Sequence, residues 1–372
     1  MFFSSLSDNI FPKIYPKYNI TMIDHDYWRQ YALCHDPFNW QIPKGLSNED
    51  LKMFWAQPEN HRHFHDTHNT SHCGVLRIVA NGRIRNPFPQ LSNVTHFINA
   101  FIKPEKVPKP KYETLLVLIG HWGHYFQHFF DNIGPQISLA MSILGFNQTD
   151  IPVVVDSSHL FPVVPSLWRR LGFSKIIKSI SNADYSAKTL IYIESTPRIH
   201  PEYFLNLRNM LELREVEHKK VIWLSRKPSN SYYSQRYIIN EGEIVSALQK
   251  KYGRNNVVSY DHTKYQLNET IELFSEAKII IGAHGGAFYN QFFSSKDAII
   301  VEIMPVQESG LYPDQDSFQT QPSFSHMAVW SNSLLIGQKF WRYYHVTSEP
   351  SFEINPRALV RFLDQIPGND DL

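Results

Sequence analysis

Gly282-Ala283-His284-Gly285-Gly286-Ala287 sets an imidazole in a run of residues with little or no side chain. Glycine lets a ligand come close to the backbone, and the N–H groups and dipole of a helix starting here favour an anion such as phosphate. The spacing is not G-x-G-x-x-G, and no G-x-x-x-x-G-K-[ST] occurs, so dinucleotide and P-loop readings lose ground. A tight turn that only joins helix to sheet is the plain alternative. A second set is His124, His128 and Asp131. At about 100° per residue, Phe126, Phe130, Ile133, Ile137, Met141 and Leu144 share one helical stripe and these three fall opposite it. Imidazole and carboxylate on one face suit general acid–base work; a solvated helix face is the alternative. Alternate histidines in 61–68 suggest a metal, but no C-x-x-C or H-E-x-x-H accompanies them, so a hydrated loop and no metal site are expected.

These residues need elements to hold them. The unalternating run 279–281 reads as a strand buried on both faces, followed by the glycine-rich turn, a short helix and a second buried strand at 298–303. Residues 221–225 form a strand with Arg226 and Lys227 at its C-terminal end, where ligands lie in open α/β sheets. Asn240 and Glu243 give an N-x-x-E start to a helix over 241–252, and Gly253 stops it. With a strand at 257–260 and a helix at 269–277, the order is that of a parallel, doubly wound sheet. Upstream, strands are expected at 115–119, 151–156 and 189–193, and helices at 167–172 and over 201–217, while the segment 120–132 runs into a helix that ends near Gly145. Pro135 removes the hydrogen bond to the Asp131 carbonyl and should kink the first helix there. Residues 1–110 read as loops and short elements, with a hinge-like 103–110. The chain reads as irregular from Pro305 to about Lys339, and 356–365 as a last helix.

Composition narrows the classes. Apolar content of 42% and charged content of 19% are globular values, and a net charge of +1 argues against a nucleic-acid partner. Aromatics at 14% suit sugar-binding surfaces as well as core. Cys34 and Cys73 are too few for a metal framework; they either pair in an oxidising compartment or stay separate thiols. Sequons at Asn19, Asn69, Asn93, Asn147 and Asn268 lean toward the secretory pathway, while no signal or membrane anchor is visible. The expectation is the ER or Golgi lumen, with membrane association only through an anchor missing from this chain.

Two consecutive α/β domains, one with a phosphate turn and one with a His/Asp helix, suggest a nucleotide-sugar enzyme. Residues 221–305 resemble the core of glycosyltransferase family 61 through Trp223-Leu224-Ser225-Arg226, Arg236-Tyr237-Ile238-Ile239-Asn240-Glu241, Gly282-Ala283-His284-Gly285-Gly286-Ala287 and Val301-Glu302-Ile303-Met304-Pro305. Tyr125-Phe126-Gln127-His128-Phe129-Phe130-Asp131 is similar to the family's histidine/acidic helix start. Gly286-Ala287 reverses the order common at that turn. The resemblance implies a GT-B fold: an acceptor-side Rossmann-like domain over 1–217, a nucleotide-sugar domain over 218–340, and a tail over 341–372 crossing back to the first. It also implies inverting transfer of a sugar, GlcNAc or xylose, from a UDP-sugar to a hydroxyl of a protein or glycan, with no required cofactor. Arg226, Arg236 and the His284–Ala287 turn would then hold the diphosphate, Glu302 the ribose hydroxyls, and Asn240 and Glu241 would shape the turn. His128 or Asp131 would be general base, with His124 at sugar or acceptor. A silent nucleotide-sugar or glycan-binding module and a sugar-nucleotide epimerase remain as alternatives.

Overall fold

Apolar runs without alternation become strands covered on both faces, and they organise each half of the chain. The computed structural model describes residues 19–25, 28–35, 73–85, 110–120, 123–145, 149–155, 162–179, 184–196, 200–213, 216–226, 236–306, 328–349 and 351–368. These divide into two units between Glu212 and Leu213, rather than after residue 217. The histidine run at 61–68, Lys227 and the sequons at Asn69, Asn93 and Asn147 lie outside the described residues. No described helix is long and apolar enough to cross a membrane.

The first unit holds one mixed sheet of strands β1 (Asn19–His25), β2 (Trp28–Cys34), β3 (Cys73–Arg85), β4 (Tyr112–Leu118), β5 (Val153–Val155), β6 (Ile176–Lys178) and β7 (Asp184–Ser195), in the order β1-β2-β3-β7-β4-β5-β6. From β1 to β7 the neighbours are antiparallel; β7, β4, β5 and β6 are parallel. Its helical segments are α1 (Phe126–His128), a π turn (Phe129–Ile133), α2 (Gly134–Leu144), α3 (Val163–Arg170) and α4 (Pro201–Met210). The N-terminal region thus departs from the expected loops. Its strands are long and antiparallel, and Cys34 and Cys73, register partners with Cα atoms 4.0 Å apart, form a disulfide. The kink expected from Pro135 takes the form of the π turn, in which the Gly134 N–H reaches the Phe129 carbonyl. Pro135 itself has no N–H to give.

The second unit is built on an all-parallel sheet of β8 (Lys220–Leu224), β10 (Val257–Tyr260), β11 (Ala277–Ala283), β12 (Ile299–Val306) and β13 (Lys339–Val346), ordered β10-β8-β11-β12-β13. Helices α5 (Glu241–Tyr252), α6 (Leu267–Ser275), a 3₁₀ helix (Gly286–Phe293) and α7 (Ala328–Ile336) connect its strands. Short strands β9 (Tyr237–Ile238) and β14 (Ser351–Phe352) pair separately. The stretch before Lys339 is therefore not wholly irregular, and β13 was not expected as a strand. The expected crossover of the tail to the first domain is also corrected. Leu359 and Leu363 of α8 (Pro356–Asp364), together with Ile366, are buried in the second unit's own core beside Leu248, Trp223 and Ile281. An amphipathic helix needs one apolar cover, and this one finds it on α5.

Candidate functional site

In the second unit the strand order reverses at β8 and β11: the chain leaves β8 for β10 on one side and returns as β11 on the other. In such sheets the crevice at the C-terminal ends of those two strands is where ligands bind. The residues there are Arg226, just beyond β8, and the His284–Ala287 turn, just beyond β11. They are joined directly, since a guanidinium N–H of Arg226 donates to the His284 carbonyl. Gly282 lies opposite Leu224 in register, and a Cβ added there would meet the Leu224 Cβ at 2.7 Å. One added at Gly285 would collide with the Arg226 guanidinium. The small residues of the turn thus serve close approach by Arg226 and Leu224.

Beyond Gly285 the chain enters the 3₁₀ helix at Gly286, whose first N–H groups have no intrahelical partner. Beneath the turn, the Arg226 N–H donates to the Glu241 carboxylate at 3.4 Å, and the Ser259 hydroxyl donates to its other oxygen at 3.4 Å. Glu241 shapes the turn. Asn240 does not cap α5. Its amide exchanges two hydrogen bonds with the Ile354 backbone, at 2.8 and 3.1 Å, and so ties the tail to the segment after Arg236. Arg236 itself has a left-handed backbone, φ +77°, which costs a residue with a Cβ about 1 kcal/mol or more and is typical of functional loops.

Glu302 is placed differently from the expectation. β12 runs on to Val306, so the carboxylate lies mid-strand with no exposed surface. Its Oε1 is 2.5 Å from Nδ1 of His284, while Oε2 accepts from Nε and Nη2 of Arg342 at 2.8 and 2.6 Å. Fully enclosed, with both oxygens engaged, it cannot reach ribose hydroxyls; the assignment is corrected to a residue that holds His284. Arg342 stands opposite Glu302 in the β12–β13 register and is itself buried. Burial alone pushes the Glu302 carboxyl up, but Arg342 and then His284 outweigh it and hold it below the usual carboxylate range. Burial also depresses His284; Glu302 opposes this, and Arg236 and Arg342 reinforce it. The imidazole is therefore neutral near pH 7. Arg342 was missed because 339–346 was not read as a strand, yet a lone cation inside Phe-Trp-Arg-Tyr-Tyr signals a buried acid partner.

In the first unit the parallel strands reverse at β4 and β7, and the segment beyond β4 carries the second set of residues. Gln136 fixes it to the strand end by donating to the Ile119 and Asn132 carbonyls, each at 3.1 Å. Phe130, Ile133, Ile137, Met141 and Leu144 are buried, as the stripe requires. His128 Nδ1 lies 3.4 Å from Asp131 Oδ1, with side chains 21% and 30% exposed, and His128 Nε2 is 3.0 Å from the Gln127 amide nitrogen. His124 is not on this helix face. It lies in the turn before α1, buried against Tyr125 with ring centroids 4.2 Å apart.

The Glycosyltransferase 61 family model matches residues 126–301. Over that stretch the chain is similar to glycosyltransferase family 61. The stretch begins at the first residue of α1, takes in His128, Asp131, Arg226, Arg236 and the His284 turn, and stops one residue short of Glu302. The match therefore covers the segment beyond β4 and the reversal point of the second unit, but contains neither Glu302 nor Arg342. Among curated proteins, none matches the chain.

Proposed function

We propose that the chain is an inverting GT-B glycosyltransferase, moving a sugar, GlcNAc or xylose, from a UDP-sugar to a hydroxyl of a protein or glycan. The observation that carries this is the joining of Arg226 to the His284 carbonyl at the reversal point of the second unit's parallel sheet. A cation and a glycine-rich helix start at that place suit a diphosphate. As UDP departs, its oxygens gain charge, and Arg226, Arg236 and the N–H groups after Gly285 stabilise it without a required metal. The acceptor hydroxyl attacks the anomeric carbon from the opposite face and gives its proton to a base. His128, oriented by Asp131, takes that role, and His124 contacts sugar or acceptor. The lumen of the ER or Golgi suits the Cys34–Cys73 disulfide, since such bonds persist in oxidising compartments. Asn268, exposed at the start of α6, would carry a glycan there. Thermal melts with UDP, UDP-GlcNAc, UDP-xylose, GDP-mannose and NAD, followed by transfer assays with the stabilising donor, test the reading. Stabilisation by uridine ligands and transfer to a hydroxyl acceptor are expected. Stabilisation by NAD alone, or release of free sugar with no acceptor ever modified, would sink it.

A further inference from the structure

Three described elements converge on one ring. His284 follows β11, Glu302 comes from β12 and Arg342 from β13, and the three form a continuous buried chain, Nδ1 to Oε1 and Oε2 to the guanidinium. An ionised carboxylate can only accept, so the Nδ1 of His284 carries hydrogen and Nε2 carries the lone pair. Three charged groups among the described residues act on this ring, Glu302 from β12, Arg342 from β13 and Arg236 from the segment before β9, while the Arg226 guanidinium bonds the His284 carbonyl. Burial first, reinforced by Arg236 and Arg342, outweighs Glu302, so the empty site disfavours an imidazolium. A diphosphate on the adjoining turn reverses that balance, because it adds at least two negative charges within a poorly solvated site.

We propose that binding of a nucleoside diphosphate, free or as its sugar ester, is coupled to uptake of one proton at Nε2 of His284. Glu302 and Arg342 are positioning residues that fix the tautomer. The proposal rests on the reading of this turn as the diphosphate site. The proton comes from solvent on binding and returns to it on release; no other bond changes. Donor affinity then rises as pH falls, until His284 is already protonated in the empty site. The imidazolium also adds a charge beside the leaving group that the arginines alone do not supply.

The test is calorimetry of the full chain with UDP-GlcNAc near pH 7, in two buffers of very different ionisation enthalpy. This ligand is chosen because its esterified diphosphate has no proton titrating near neutrality, and UDP is run beside it. The enthalpy difference should correspond to about one proton taken up per ligand. His284→Gln should abolish it, Arg342→Met should reduce it, and Arg342→Lys should restore most of it. Equal enthalpies for the wild type in both buffers overturn the inference, and that measurement needs no variant to fold. If only UDP binds, the proton count is the difference between wild type and His284→Gln, and no difference overturns it. Absence of binding by both ligands overturns the diphosphate reading itself, and the inference with it.

Discussion

The two candidate histidines live in opposite surroundings. His284 is enclosed, its ring clamped by a carboxylate that is itself clamped by Arg342. His128 is partly exposed on a short helix, 3.4 Å from a somewhat more accessible Asp131. On the function proposed above, the difference separates two jobs. A ring held by strand register is preorganised for a fixed ligand group such as a diphosphate. A ring on an open helix face serves a group that arrives from outside, such as an acceptor hydroxyl.

The sharpest way to break this contrast is to remove one partner from each pair. Arg342→Met leaves the buried Glu302 without its main counter-charge and should cost about 3–5 kcal/mol of stability in a denaturant melt. Asp131→Asn should change stability by no more than about 0.5 kcal/mol. Equal losses would mean that the first-unit pair is as structural as the second. For turnover, His128→Ala should lower kcat by about 10²–10⁴ while UDP affinity stays within experimental error. A variant that transfers sugar at the native rate would return the His128 face to ordinary surface. Next in size, Arg226→Ala should weaken UDP by about 1.5–3 kcal/mol, the usual worth of a charged hydrogen bond, as read by calorimetry. Unchanged affinity would move the diphosphate away from the reversal point.

The smallest expected effect is the pH dependence of stability. His284 has its folded pKa below the ordinary value of 6.5, so the unfolded chain binds a proton more readily, and stability falls as pH drops below about 6.5. Glu302 is also depressed, so its contribution is present above the ordinary carboxylate range and is lost as pH falls through its folded value. Both act in the same direction, each with a slope of at most about 1.4 kcal/mol per pH unit. His284→Gln should flatten the limb between pH 7 and pH 5.5 and leave the lower one. A limb that survives the substitution would assign it to another histidine.

Much of this contrast was legible in the residues. The parallel strands β8, β11 and β12 announced themselves because burial on both faces demands unbroken apolar runs such as Ile279-Ile280-Ile281. The disruption near Asp131 followed from the missing N–H of Pro135. What escaped has definite causes. β3 carries Asn81-Gly82 in its middle, a dipeptide that favours hairpin turns, yet the strand passes straight through with Asn81 at φ +48° and the same register with β7 on both sides of it. The role of Glu302 depended on where β12 ends and on a partner 40 residues further on, set by strand register that no local pattern encodes. His124 was placed by helical periodicity, but the helix begins only at Phe126.

The docking of the tail bears on the order in which the molecule can be made. Every described residue of the first unit has been synthesised before Leu213 appears, so that sheet is free to fold while the rest is still being translated. The second unit has no such head start. Its core lacks Phe352, Ile354, Leu359, Leu363 and Ile366 until those last residues leave the ribosome, and the Ile354 backbone bonds that hold Asn240 must wait for the same moment. A nascent chain stalled at residue 345 would carry a complete first unit and an incomplete second one, with β9 unpaired and α5 lacking its cover from α8. Translation itself thus holds the second unit's core back until α8 has been made.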